Sequence, residues 1–224
     1  MEELLQAIIK DDRSAVEALL KANGDLAIQA IDQARLCDAG IFHWLYVGDT
    51  ALHLAAAGYR ESIAQMLLNF GADPNANMNH RRSSPLHYAA DGYLNGPAWN
   101  PESQVKTIRL LINSGADVHA QDMNGATALH RAVRTRCAAA VKCLIVAGSD
   151  PTRPNRSGST PFHLAVQNTG RGGSGTSIAK TAQREIIDTF LARGLNPEAV
   201  KDGKGKSVLD STRTGCIRDM LCGN

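Results

Sequence analysis

Short runs of apolar residues recur along the chain, and a glycine follows soon after each run. Three of these runs are Ile63–Leu68, Ile108–Ile112 and Val141–Ile145, and each predicts a helix. The glycine predicts the end of that helix, because glycine adopts the left-handed conformation without a steric penalty. A single short helix pair cannot bury its apolar face alone, so the pattern predicts units that stack on one another.

Two sequence signatures mark each unit. The first runs from Thr or Ser to His and occurs at Thr50–His53, Ser84–His87, Thr127–His130 and Thr160–His163. The Thr or Ser suits a helix N-cap, and the Pro that follows it in two units suits the first helical position. The second signature occurs at Gly71–Asp73, Gly115–Asp117, Gly148–Asp150 and Gly194–Asn196. Without the insertions in the second and fourth units, the period is roughly 33 residues, which is typical of a helical solenoid.

These motifs resemble those of the ankyrin-repeat family over nearly the whole chain. The resemblance implies an all-α solenoid of stacked helix-turn-helix units, joined by β-hairpin-like loops and capped at both ends. We expect one domain over 1–224, with an N-terminal cap (1–25), an atypical connection (26–48), repeats (49–78, 79–121, 122–154 and 155–201) and a C-terminal cap (202–224). The connection carries Ile41–Tyr46 in place of a polar hairpin, and residues 79–82 lack the usual turn glycine. The insertions resemble those of single-domain bacterial ankyrin-repeat proteins of unassigned role.

The regularly spaced histidines suggest a metal site, but their spacing argues against one. Zinc binds nitrogen ligands at about 2.0–2.1 Å, whereas packed helices lie about 8–10 Å apart. The family resemblance implies instead that these histidines hydrogen-bond the backbone between units. Gly205-Lys206-Ser207 ends like a phosphate-binding loop, but Val200 stands where that motif needs its first glycine. We therefore expect no metal, no cofactor and no catalytic residue.

Composition favours an ordinary core-forming protein, with 43% hydrophobic and 21% charged residues. Five scattered cysteines, with no CxxC pair, fit reduced thiols in the cytoplasm. Cys137 and Cys143 are expected to be buried small side chains. The alternative is a reactive thiol whose pKa is lowered by the nearby Arg134 and Arg136. No apolar run reaches the roughly 18 residues of a membrane span. The capped ends favour a monomer.

Charge is distributed unevenly along the chain. Residues 130–224 carry 15 basic and 7 acidic residues, whereas residues 1–129 are net acidic. An anionic partner would therefore approach the C-terminal half, unless these charges form only a solvated surface.

Two insertions, 91–104 and 169–182, fall between the first and second helices of alternate units. Equivalent insertions in a solenoid emerge on one edge, so they predict two loops beside a basic ledge at Arg134 and Arg136. Aromatic side chains would anchor a partner there, and arginines would pair with a carboxylate or phosphate. The candidate contacts at this edge are Tyr93, Trp99, Arg134, Arg136 and Arg171. The alternative is that the loops are tolerated surface insertions, with Trp99 packed back onto the helices.

The resemblance also implies a conventional binding surface on the turn tips and the exposed ends of the first helices. The candidates there are Arg81, Met123, Asn124, Arg134 and Arg156. We therefore expect a non-enzymatic interaction module that binds a protein or an acidic peptide through its concave surface and basic edge. The alternatives are a nucleic-acid-associated regulator that uses the basic C-terminal half, and a sensor of a small anion between the insertions.

Overall fold

Helix pairs follow one another through the computed structural model, which describes residues 1–37, 40–92, 99–169, 175–213 and 215–222. The helices are α1 (Glu2–Ile9), α2 (Arg13–Ala22), α3 (Ala51–Ala57), α4 (Glu61–Asn69), α5 (Pro85–Ala90), α6 (Pro101–Asn113), α7 (Ala128–Arg134), α8 (Ala138–Val146), α9 (Pro161–Ala165), α10 (Ser177–Leu191), α11 (Val208–Ser211) and α12 (Gly215–Cys222). A 3₁₀ turn spans Gly24–Ala27, and the strands β1 (Arg35–Cys37) and β2 (His43–Leu45) precede α3.

The predicted start and stop signals lie at the ends of these helices. Thr127 and Thr160 accept hydrogen bonds at Oγ1 from the backbone N–H groups of His130 and His163, at 3.5 and 3.2 Å. Pro85 occupies the first helical position of α5, where its missing N–H costs no hydrogen bond. The glycines after α4, α6 and α8, with φ of 90°, 92° and 95°, are Gly71, Gly115 and Gly148.

The helices form two layers. The first helices of the pairs (α3, α5, α7 and α9) pack side by side, and the second helices (α4, α6, α8 and α10) pack side by side behind them. The core between the layers includes the fully buried side chains of Leu52, Leu67, Ile108, Leu129, Val141, Phe162, Ile186 and Phe190. Each such side chain contributes about 1.5–3 kcal/mol of burial free energy, which only stacking makes available. The predicted all-α helical solenoid is confirmed.

The turns between units are joined into a continuous row, which we call the tip row. It consists of residues 79–82, 122–125, 155–158 and 202–205. Backbone N–H groups of one turn donate to carbonyl oxygens of the preceding turn, from Met123 to Arg81 (2.7 Å), from Arg156 to Asn124 (2.9 Å) and from Gly203 to Gly158 (2.8 Å). Since these bonds hold each turn against the next, residues at successive tips face a ligand together.

The turn at 79–82 keeps the backbone of the others without a glycine. In this turn the N–H of Arg82 donates to the carbonyl of Asn79 at 2.8 Å, as the N–H of Gly125 does to the carbonyl of Asp122 in the next turn. Arg82 has φ 53°, close to the 71° of Gly125. An arginine therefore takes the left-handed conformation that glycine adopts without strain.

The connection before α3 contains a short antiparallel hairpin that the sequence did not predict. Leu36 pairs with Trp44, and Cys37 pairs with His43. Because side chains alternate along a strand, Cys37 and Leu45 point into the core and are 3% and 0% exposed. Leu36 and Trp44 point outward.

Candidate functional site

The signature histidines lie inside the stack, where each joins two units. The backbone N–H of Thr50 donates to Nδ1 of His53. The Nε2–H of the same histidine donates to the carbonyl of Ser83 at 3.0 Å. The equivalent Nε2 bonds run from His87 to Ala126 (3.0 Å), from His130 to Ser159 (3.2 Å) and from His163 to Lys206 (3.0 Å). Burial lowers the pKa of His130 to about 4. The backbone-bonding role that the resemblance implied is confirmed.

A depression lies where the tip row meets the first-helix layer. Its lining includes Arg81, Asn124, Ala126, Arg131, Arg134 and Leu164. Polar and cationic groups therefore dominate it. An acidic group that enters this depression meets two exposed arginines, Arg81 and Arg134.

A buried ion-pair network supports this depression from below. The side chain of Arg131 is 5% exposed, and its guanidinium lies 3.0 Å from Oδ2 of Asp91 and 2.9 Å from Oδ2 of Asp122. It also donates to the hydroxyl of Ser83. Burial raises the pKa of Asp91, but His43 and Arg131 outweigh burial and lower it to about 2. Both carboxylates are therefore charged at neutral pH and hold Arg131 in place.

Arg134 extends from the same network toward solvent. Its guanidinium lies 3.6 Å from Oδ1 of Asp91, and its side chain is 67% exposed. The carboxylate of Asp91 is already paired with Arg131. The exposed contact between Arg134 and Asp91 stabilises the fold by under about 1 kcal/mol. Arg134 therefore keeps donors available to a ligand.

Arg81 lies exposed on the first turn of the tip row, and Arg156 lies exposed on the third. The guanidinium of Arg81 lies 4.8 Å from the ring centroid of Tyr46, within cation–π range. Asn124 and Met123 lie exposed between them. The structure therefore brings together the candidate residues of the conventional surface.

Arg136 does not lie on the predicted basic ledge. It is 9% exposed and adopts the left-handed conformation with φ 61°. Its guanidinium donates to the carbonyls of Leu164 (3.1 Å) and Gln167 (2.8 Å) in the next unit. Burial lowers its pKa to about 10. Because its donors serve the backbone, the ledge interpretation is corrected to Arg134 alone.

The insertions contribute less to the site than the sequence suggested. Tyr93 and Arg171 lie outside the described residues. Trp99 is partly buried against the core, and its Nε1–H donates to Oε1 of Gln104 at 3.1 Å. The C-terminal parts of both insertions belong to α6 and α10. Trp99 therefore packs back onto the helices, as the alternative interpretation held.

Sequence reasoning missed Arg131, although a signal for it was present. The equivalent position after the signature histidine holds Leu54, Tyr88 and Leu164 in the other units. A lone arginine at a position that is otherwise apolar or aromatic requires a buried partner. Comparing the units position by position would have identified it.

Of the two candidate thiols, Cys137 is buried and Cys143 is half-buried, and neither is activated. Cys137 is fully buried, and burial raises the pKa of its thiol to about 11. Burial also raises the pKa of Cys143. The interpretation of both as small packing side chains therefore fits their surroundings better than the reactive alternative.

Among the described residues, no group of three or more His, Cys, Asp or Glu side chains is arranged to hold a metal ion. No helix in the described part of the chain has the length and apolar character needed to cross a membrane.

Comparisons with known proteins agree with this architecture. The family model for ankyrin repeats (3 copies) matches residues 4–96 and 98–201. The chain is 32% identical to human B-cell lymphoma 3 protein over 169 residues, which cover 72% of this chain and 32% of that protein. It is 34% identical to the Drosophila melanogaster transient receptor potential channel pyrexia over 118 residues, which cover 53% of this chain and 11% of that protein.

A third relative is human ankyrin repeat and SOCS box protein 6, which is 28% identical over 66% of this chain and 35% of its own length. The chain thus spans about a tenth to a third of the length of these relatives. The bacterial part of the resemblance stays a prediction.

Proposed function

The chain belongs to the ankyrin-repeat family, and from that premise we propose that it is a non-enzymatic module that binds an acidic segment of a protein partner. The contact surface consists of the tip row and the depression beside it. Ankyrin repeats generally mediate protein–protein interaction. The acidic character of the partner follows from the cations on this surface.

One observation carries the proposal: the exposed Arg81 and Arg156 lie on the tip row, which backbone hydrogen bonds hold together, and the exposed Arg134 lines the depression beside it. Arg81, Arg134 and Arg156 are exposed, and their turns or helices are fixed to one another. Arginine pairs with carboxylates through parallel N–H donors, which gives direction as well as attraction. Because the backbone is fixed before binding, less ordering entropy is lost when a ligand binds.

The buried network below the row sharpens this specificity. Asp91 and Asp122 satisfy Arg131, so the charge that faces solvent at the depression comes from Arg81 and Arg134. A partner carboxylate there meets attraction, whereas a partner cation meets repulsion. We also propose that this module acts in the cytoplasm, because its five cysteines are scattered and include no CxxC pair.

A random peptide library displayed on phage tests the proposal. Wild-type protein is compared with Arg81→Glu/Arg134→Glu/Arg156→Glu and with the control Arg109→Glu/Arg184→Glu/Arg218→Glu, which reverses three exposed charges on second helices. Circular dichroism confirms equal folding. We expect peptides rich in Asp and Glu to bind wild type and control, and to bind the tip-row variant at least ten-fold more weakly.

Two outcomes contradict the proposal. In the first, the selected peptides carry no excess of Asp and Glu. In the second, the tip-row variant binds them as tightly as the control does. Binding of a DNA duplex that falls steeply with salt would favour the nucleic-acid alternative instead.

A further inference from the structure

Large apolar side chains are exposed together at the N-terminal end of the tip row. Of the ten exposed large hydrophobic residues in the described part of the chain, five lie on the β1–β2 hairpin, just after it or on the neighbouring loop. We call these residues the hairpin face, and they are Leu36, Phe42, Trp44, Val47 and Met78. Clustered apolar exposure of this kind marks interaction sites, whereas single exposed residues do not.

The register of the hairpin explains why this face is apolar and still solvent-exposed. Leu36 and Trp44 are directly opposite each other across the strands, and they are 40% and 50% exposed. Their neighbours Cys37 and Leu45 take the inward positions and fill the core. The outward pair therefore adds nothing to core packing. Polar side chains at these two positions would keep the hairpin soluble, so the fold does not require them to be apolar.

The hairpin face is continuous with the tip row. A Cβ placed on Gly48 would lie 2.6 Å from the carbonyl oxygen of Met78, so the end of the hairpin touches the loop that leads into the first tip. Tyr46, one residue after β2, contacts both His80 (4.7 Å between ring centroids) and Arg81. Apolar surface thus passes directly into cationic surface.

We propose that the hairpin face binds the apolar end of an extended peptide whose acidic end lies along Arg81, Arg134 and Arg156. This inference rests on the proposed function and adds to it the chemistry of the ligand: one apolar segment joined to one acidic segment. Successive units lie about 10 Å apart. The distance from the hairpin to the third tip is therefore roughly 30 Å, which an extended peptide of about nine residues spans.

Charge argues for such a peptide over a second copy of this chain. Two copies that met through the same surface would bring identical cationic rows toward each other. An acidic segment neutralises that row, and its apolar segment removes the hairpin face from water.

The experiment locates the apolar end through tryptophan fluorescence. The chain has two tryptophans, and Trp99 is partly buried, so Trp99→Phe leaves Trp44 as the reporter. The probe is a synthetic twelve-residue peptide with three Leu or Phe residues at one end and four Asp or Glu residues at the other, made in both orders. A peptide with the acidic half alone, and Gly-Ser in place of the apolar half, is the comparison.

We expect one order of the two-part probe to shift Trp44 emission to shorter wavelength and to bind at least ten-fold more tightly than the acidic probe. Leu36→Ser and, separately, Met78→Ser should each remove most of that advantage. Both positions are exposed and lie outside the core, and Met78→Ser leaves the strands intact, so a misfolded hairpin is distinguished from a lost contact.

Three results would overturn the inference. Equal affinity for the two-part and acidic probes leaves the proposed function in place but removes the hairpin from the site. Failure of both probes, together with a peptide selection that shows no acidic preference, overturns both. Concentration-dependent dimerisation that Leu36→Ser abolishes assigns the hairpin face to a second copy instead.

Discussion

The imidazole of His130 joins two units of the solenoid, because its Nε2–H donates to the carbonyl of Ser159 at 3.2 Å. Its Nδ1 accepts from the backbone N–H of Thr127 at 3.1 Å, at the start of its own helix. One side chain therefore completes the local N-cap and also fixes the next turn. The ring itself is buried, at 2% exposed.

Replacing His130 with Ala should lower the free energy of unfolding by about 2–4 kcal/mol, because a cavity forms and two backbone groups lose their partner. Urea denaturation measures the change. His119→Ala is the matched control, since His119 is exposed, and it should stay within about 0.5 kcal/mol of wild type. Equal effects of the two substitutions would contradict a linking role for His130.

The same histidines should make the protein less stable in mild acid. Burial, together with the charge of Arg131, lowers the pKa of His87 to about 4, and burial lowers that of His130 to about 4. An unfolded histidine has a pKa near 6.5, so between these values the unfolded chain binds more protons than the folded chain. The stability that these two histidines contribute is therefore fully present above pH 6.5 and is lost as pH falls toward 4.

We expect roughly 2 kcal/mol of loss from each of these two histidines between pH 7 and pH 4.5. The pKa of Asp91 is lowered to about 2, so protonation of this carboxylate reduces the free energy of unfolding only below this pH range. Urea midpoints at half-unit steps of pH measure the effect. A constant free energy of unfolding across this range would show that the histidines are not held neutral.

The fold was predictable because local signals agree with the repeat. The N-cap residues, the proline at the first helical position and the glycines after the second helices each mark the same boundaries in successive units. The hairpin at β1 and β2 was not predictable in the same way. It has no equivalent in another unit, so the departure from the pattern was visible but its structure was not.

The assignment of Arg136 failed for a different reason. It follows the end of α7 at the position where Tyr59 follows the end of α3, and both residues have positive φ, 61° and 55°. Tyr59 donates to the carbonyl of Asp91 in the next unit, as Arg136 does to Gln167. Position relative to the turn, and not residue charge, determines that this side chain points inward.

Arg82→Gly should stabilise the protein by about 0.5–1 kcal/mol. Arg82 has φ 53°, a conformation that costs an L-residue roughly 1–2 kcal/mol and glycine almost nothing. The extra freedom of glycine in the unfolded chain offsets part of that gain. Thermal denaturation should show a higher midpoint, and Arg156→Gly, at a tip position without positive φ, should not. A lower midpoint for Arg82→Gly would mean that its side chain contributes more than its backbone strain costs.

Arg131→Met should be strongly destabilising, although Met fills a similar volume. The substitution leaves the carboxylates of Asp91 and Asp122 facing each other without the cation that lies 3.0 and 2.9 Å from them. Breaking a buried ion pair by removing one partner costs about 3–5 kcal/mol. Arg134→Met is the control, because its exposed contact to Asp91 contributes under about 1 kcal/mol. Urea denaturation at pH 7 compares the two.

The pKa of Asp91 should also rise in Arg131→Met, so the difference from wild type should shrink as pH falls toward 3, where protonation removes the uncompensated charge. A deficit that is the same at pH 7 and pH 3 would instead indicate that Arg131 acts through packing.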